Sequence, residues 1–194
     1  MVLSEKKQNN KNDFSDSILI GQIKDGNHSA FSEIIKRYES KIAATVHGIL
    51  GPSQEAEDVG QEVFIRFYKS IEQFKGDSSL GTYLSRIAIN LSLNEVKKRK
   101  RRAFISWEDT NQHDLEMYKS KESNLMFEEK EFIQQAIQKL STKLRVVLIL
   151  RLINGYSTEE TAKILKLPIG TVLSRLSRGQ KKLKKLLTPY METI

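Results

Sequence analysis

Apolar positions along this chain recur three and four residues apart, and the few glycines and prolines fall between the runs. That is the rhythm of one face of an α-helix, not the alternation of a strand. Ile18, Leu19 and Ile23 fit a first helix over Phe14–Lys24, stopped by Asp25-Gly26-Asn27. Ser29 is placed to cap a second helix with apolar positions Phe31, Ile34, Ile35, Tyr38 and Ile42. Gly51-Pro52-Ser53 interrupts the pattern, a third helix is expected to reach about Phe74, and Lys75–Ser79 reads as a loop. A fourth helix carries Leu84, Ile87, Ala88, Leu91 and Val96 and is expected to end in a basic run.

The rhythm then fades. Ala103–Met126 has few periodic apolar positions, many acids and amides, and the lone Trp107, so it reads as an extended linker. From Phe127 the helical pattern resumes with Phe132, Ile133, Ile137 and Leu140, then an apolar set from Leu144 to Ile153, stopped by Asn154-Gly155-Tyr156. Ser157 and Glu160 have the spacing of a capping box for a short helix to Leu165. Lys166-Leu167-Pro168 turns into a last helix, so the pair has helix-turn-helix geometry. The expected fold is all-α: two small helical domains, residues 14–102 and 127–190, joined by a flexible acidic linker over 103–126, with the helix-turn-helix in the second.

Placing residues at 100° intervals separates two faces on the last helix. Val172, Leu176, Gly179, Leu183, Leu186 and Leu187 form the buried stripe. Gly170, Ser174, Ser177, Arg178 and Lys181 lie opposite, a face small enough to approach a groove closely. Arginine pairs bidentately with guanine, and serine reaches base edges or phosphate. On the third helix Ala56, Gly60, Val63, Phe64, Phe67, Ile71 and Phe74 share the inner arc, and Asp58, Gln61, Glu62, Ile65 and Lys69 the outer. An apolar residue rimmed by charge suits a protein-binding face. The small polar residues of the 75–80 loop suit a pocket for an unstacked base, with Tyr83 as a stacking plane.

Charge sharpens this. The net charge is +8, but its distribution matters more. Lys97–Arg102 is six consecutive cations, and Lys166–Met191 holds seven cations and no acid. Between them, Glu108–Glu131 carries eight acids against three lysines. Two basic segments flanking an acidic one suit a nucleic-acid partner, with Lys182, Lys184 and Lys185 adding salt-sensitive grip. The absence of cysteine removes disulfides and thiolate metal sites and fits a reducing cytoplasm. No stretch approaches the ~18 consecutive apolar residues of a membrane span, and the first residues lack the apolar core of a secretory signal. The three histidines, His28, His47 and His113, do not join the carboxylates of the third helix. No catalytic residue, metal or cofactor is expected, and the chain is not expected to be an enzyme.

Four stretches taken together resemble one family, the bacterial extracytoplasmic-function sigma factors of the sigma-70 type. They are AFSEIIKRYESKI, GPSQEAEDVGQEVFIRFYKSI, FKGDSSLGTYLSRIAINLSLN with its basic end, and KLSTKLRVVLILRLINGYSTEETAKILKLPIGTVLSRLSRGQKKL. The resemblance implies a specificity subunit that directs core RNA polymerase to promoters, recognising −35 and −10 elements and helping to melt the latter. It implies polymerase binding through Asp58, Gln61, Glu62, Ile65 and Lys69. It implies contacts to single-stranded −10 DNA through Lys75, Asp77, Ser78, Ser79, Leu80, Tyr83, Asn90, Lys98 and Arg99. It implies reading of duplex −35 DNA by Thr171, Ser174, Arg175, Ser177, Arg178 and Lys181. A further implied partner is an anti-sigma factor, often membrane-anchored. Tyr83, Leu173 and Gln180 depart from the family's usual residues at their positions. Fully extended, a 24-residue linker reaches about 80 Å, some twenty base pairs at about 3.4 Å each. The alternative reading is a helix-turn-helix repressor or activator acting on duplex DNA without polymerase.

Overall fold

The computed structural model describes residues 15–109 and 125–191. Every regular element among them is helical. Helix α1 covers residues 15–24, α2 His28–Leu50, α3 Gln54–Lys69 and α4 Leu80–Asp109, with a 3₁₀ turn at Ile71–Gln73. The second half contains α5 (Leu125–Gln138), α6 (Thr142–Leu148), a π-helical turn (Ile149–Ile153), α7 (Thr158–Leu165) and α8 (Ile169–Met191).

Local chemistry sets most boundaries. Asn27, not Ser29, caps α2: its side chain accepts from the Ser29 N–H at 3.0 Å. The third helix stops at Lys69 rather than near Phe74, where the Ser70 hydroxyl donates to the Arg66 carbonyl at 2.8 Å and a 3₁₀ turn follows. Helix α4 does not end in the basic run but continues to Asp109, seven residues into the segment expected as linker. No glycine or proline falls between Thr82 and Asn154 to stop it, and Lys, Arg and Ala are good helix formers. Residues 110–124, the rest of that segment apart from its last two, lie outside the described residues.

Helices α2, α3 and α4 pack around Ile34, Ile42, Val46, Val63, Phe67 and Leu84. Helix α1 is tied on by buried Asp16, which accepts hydrogen bonds from Tyr38 and, at 3.2 Å, from Arg37. The same core continues into the second half through Val146, Ile149, Leu150, Tyr156 and Ile164. Tyr156 is 5% exposed; its hydroxyl donates to the Gly81 carbonyl at 2.9 Å and lies 2.7 Å from the Ser85 hydroxyl, while Lys41 Nζ sits 3.9 Å above its ring. Around it, Asn154 donates to Thr45 at 2.7 Å, Gln138 to the Gly48 carbonyl at 2.8 Å and Arg145 to the Ile49 carbonyl at 2.6 Å. The last two satisfy carbonyls that the end of α2 leaves without helical partners. Arg86 Nη2 reaches the Lys163 carbonyl at 3.2 Å, bringing α7 against α4.

Candidate nucleic-acid interface

The helix-turn-helix is built as its sequence suggests. Glu160 N–H donates to Ser157 Oγ at 3.1 Å, and the Glu160 carboxylate accepts from Ser157 N–H at 2.7 Å, closing the capping box on α7. Lys166 ends α7 in the left-handed region, φ 53°, and Leu167 N–H bonds the Ala162 carbonyl at 3.0 Å. Helix α8 then starts at Ile169. Val172 is fully buried against Val147 and Ala162. Gly179 lets α8 lie against Leu148: a Cβ there would come within 3.0 Å of Leu148 Cγ.

The outward side of α8 is open. Ser177, Arg178 and Lys181 are exposed; Thr171, Ser174 and Arg175 are half-buried. Ser174 Oγ donates to the Thr171 carbonyl at 3.0 Å, an internal bond that leaves its lone pairs free. Ser177, Arg178 and Lys181 find no hydrogen-bond or ion-pair partner among the described residues. Gly170 faces open space, with nothing within 4 Å of a Cβ built on it.

The loop before α4 and helix α1 enclose a recess of about 150 Å³ lined by Asp16, Ser17, Ile20, Phe74, Gly76, Ser78, Ser79 and Leu80. The structure therefore brings together Ser78, Ser79 and Leu80 of the expected set. Lys75 and Asp77 are exposed on the same loop, outside the lining. Tyr83 is also outside it: half-buried, edge-on to Phe74 at 5.1 Å and Phe67 at 6.2 Å, its hydroxyl 3.0 Å from Ser70 Oγ. Asn90 is exposed about 15 Å along α4 from Leu80. Lys98 is exposed, 3.9 Å from Glu95. Arg99 turns inward, donating to the Leu50 carbonyl at 2.8 Å and Ser53 Oγ at 2.7 Å, with Glu55 at 3.3 Å. It holds the end of α2 to the start of α3, and the exposed cations of the basic run include Lys97, Lys100 and Arg101. Asp16 and Ser17 were missed by sequence reasoning, because their place in the recess depends on how α1 folds back, which no local spacing encodes.

On α3, Asp58, Gln61 and Lys69 are exposed, Ile65 is 45% exposed, and Glu62 pairs with Arg66 at 2.8 Å. Tyr68 extends this surface, 40% exposed and packed on Phe31 at 4.9 Å. Its position three residues after Ile65 was the signal that could have revealed it. Among the described residues no group of three or more His, Cys, Asp or Glu side chains could hold a metal ion, and no helix is long and apolar enough to cross a membrane.

Comparison with known proteins agrees with both halves. Sigma-70 region 2 matches residues 34–102 and Sigma-70 region 4 matches residues 131–183. The chain is 36% identical over 176 residues to the ECF RNA polymerase sigma factor SigW of Bacillus subtilis, covering 87% of this chain and 94% of that protein. It is 35% identical to the RNA polymerase sigma-H factor of Pseudomonas aeruginosa, over 91% of this chain and 95% of that one. Among solved structures, CnrH in complex with the cytosolic domain of CnrY is similar at a TM-score of 0.67 and 25% identity, covering 90% of this chain and 97% of CnrH. A chain with region 2 and region 4 in this order, matched nearly end to end by ECF sigma factors, belongs to the extracytoplasmic-function branch of the sigma-70 family.

Proposed function

We propose that the chain works in the cytoplasm as a promoter-specificity subunit of RNA polymerase with no catalytic activity of its own. The observation that carries this is the coexistence of two outward faces on one fold: the α3 face of Asp58, Gln61, Glu62, Ile65 and Lys69, and the α8 face of Ser174, Ser177 and Arg178. In this reading the α3 face docks on core polymerase, where an apolar residue rimmed by charges suits a protein partner. The recess over α1 receives a base unstacked from the −10 element, and the exposed cations of α4 hold phosphates. Helix α8 lies in the major groove of the −35 element, with Arg178 on a guanine edge. Because CnrH is held by the cytosolic domain of CnrY, a protein regulator of the anti-sigma type is proposed here as well. The repressor alternative leaves the region 2 match over residues 34–102 without a role.

Transcription by core polymerase with and without this protein, on genomic promoter fragments, tests the reading; core that gains no promoter selectivity would sink it. Reversal of Asp58 and Glu62 to lysine is expected to weaken binding to core while leaving the fold intact, as read by circular dichroism. Arg178→Ala is expected to cost about 1–3 kcal/mol at one position of the upstream element. Equal loss on every sequence would reduce Arg178 to a phosphate contact.

A further inference from the structure

Helix α8 carries two apolar residues that neither the packing nor the contacts above use. Ile169 is 47% exposed and Leu173 51%, whereas Val172, the neighbour of Leu173, is fully buried. Four residues apart, Ile169 and Leu173 stand one turn above the other on the same flank of the helix. That flank adjoins exposed Ser177; the opposite flank bears Thr171, Arg175 and Arg178. The outward side is thus divided into a hydrogen-bonding flank and an apolar one.

The charge around this pair says what it faces. From Lys166 to Met191 there is no acid, and Lys181, Lys182, Lys184 and Lys185 are exposed further along the helix. That field favours a polyanion, and a leucine gains nothing from phosphates or from the polar base edges. The one apolar group that duplex DNA presents in its major groove is the C5-methyl of thymine. We propose that Leu173, with Ile169 beside it, is a specificity residue that selects thymine at one position of the upstream element by covering that methyl. The inference rests on α8 being the duplex reader and adds a base preference to it. Two kinds of readout then come from one helix: Arg178 by hydrogen bonds, Leu173 by apolar contact.

The test separates the methyl from everything else on the base. Core polymerase carrying this protein is first used to select preferred upstream sequences from randomised duplexes. Each thymine of the selected element is then replaced by deoxyuridine, which lacks the methyl and keeps the same hydrogen-bonding edge. At one thymine, binding is expected to fall about fourfold, the weight of one buried methyl at about 0.8 kcal/mol. Leu173→Ala is expected to erase the difference between thymine and deoxyuridine there while the other positions keep theirs. Its melting temperature should match the parent, because Leu173 contributes little to the core. Indifference to deoxyuridine at every position overturns the proposal. So does a Leu173→Ala variant that binds all sequences equally less well, or one that no longer assembles with core, which would make the pair a protein-docking patch. If an element is selected and Arg178→Ala alters one of its positions, a missing deoxyuridine effect defeats the Leu173 inference alone. If no upstream sequence is enriched at all, the duplex-reader assignment of α8 falls, and this inference with it.

Discussion

The seam around Tyr156 and the outward side of α8 belong to neighbouring elements and follow opposite rules. In the seam, polar groups meet partners from the other half of the chain: Tyr156 with Gly81 and Ser85, Asn154 with Thr45, Arg145 with Ile49. On α8, Ser177, Arg178 and Lys181 meet none among the described residues. Removing a seam residue therefore exposes unpaired groups and changes stability at once. Removing a face residue changes nothing until a partner arrives. The seam is also more polar than a domain core, mixing Ile149 and Leu150 with an amide, a phenol and a guanidinium, and interfaces of that composition between domains are the ones that part.

That parting has a geometric motive. Lys163 is held against Arg86. The chain from Lys163 through the turn to Arg178 spans at most about 30 Å, and α4 from Arg86 back to Ser79 about 11 Å. With the arginine side chain between them, the two proposed reading surfaces stay within about 50 Å. Elements centred about 25 base pairs apart are separated by about 85 Å. A chain that reads both must open its seam. The protein contains no cysteine, so a single engineered pair can lock it. A Cβ on Gly48 would lie 3.0 Å from Ile149 Cγ1, which sets the two Cβ positions in the range a disulfide accepts, about 3.5–4.5 Å. The double variant Gly48→Cys, Ile149→Cys is expected to lose essentially all two-element promoter transcription when oxidised and to regain it on reduction. Full activity of the oxidised form would show that the closed arrangement already reads both elements.

Tyr156 gives the next largest effect. Tyr156→Ala is expected to lower stability by about 3–5 kcal/mol, the range for truncating a buried aromatic ring. Tyr156→Phe should cost about 1–2 kcal/mol, by removing a hydroxyl paired on both sides. Burial, with Glu160's charge adding to it, pushes the Tyr156 phenol up to about 12. A folded-state value above the unfolded one, about 10, means the fold favours the protonated phenol. Its contribution is fully present below pH of about 10 and is lost as pH rises toward about 12. Urea unfolding at pH 8 and pH 11 should show a smaller alkaline loss in Tyr156→Phe than in the parent. Equal losses would remove Tyr156 as the source.

What the sequence could disclose follows from the range of each interaction. The capping box at Ser157, the buried stripe of Val172 and Gly179 and the exposure of Asp58, Gln61 and Ile65 rest on neighbours within a few positions, and periodicity reveals such things. Tyr156 looked like a helix stop because its partners, Gly81 and Ser85, lie more than seventy residues away. Arg99 looked like one more cation of a basic run, since nothing local says that it grips the Leu50 carbonyl. The continuation of α4 to Asp109 was hidden for a different reason: after six consecutive cations, Phe104, Ile105 and Trp107 make too short an apolar run to show a period, although the absence of glycine and proline was already visible.

The smallest effects come from two glycines on α8, and together they divide packing from reading within one helix. Gly179 belongs to the packed side. An alanine Cβ there would press on Leu148 Cγ at 3.0 Å and Cδ1 at 3.1 Å, and Leu148 is itself only 2% exposed, so it has little room to yield. Overpacking of this kind costs about 1–3 kcal/mol, and the better helix propensity of alanine returns up to about 1 kcal/mol of it. Gly179→Ala is expected to be destabilising by about 1 kcal/mol net. Gly170 belongs to the open side, where an added Cβ meets nothing within 4 Å. Gly170→Ala should therefore leave stability unchanged or raise it by a few tenths of a kcal/mol, since the gain is smaller in a first turn than in a helix interior. Yet it puts a methyl group between α8 and the groove, so upstream-element binding should weaken in the variant that melts no earlier. Thermal melting and binding to a selected upstream duplex, measured on both variants, should rank them in opposite orders. If Gly170→Ala binds as tightly as the parent, the α8 backbone does not approach DNA at that turn, and the reading face shifts toward Ser177 and Lys181.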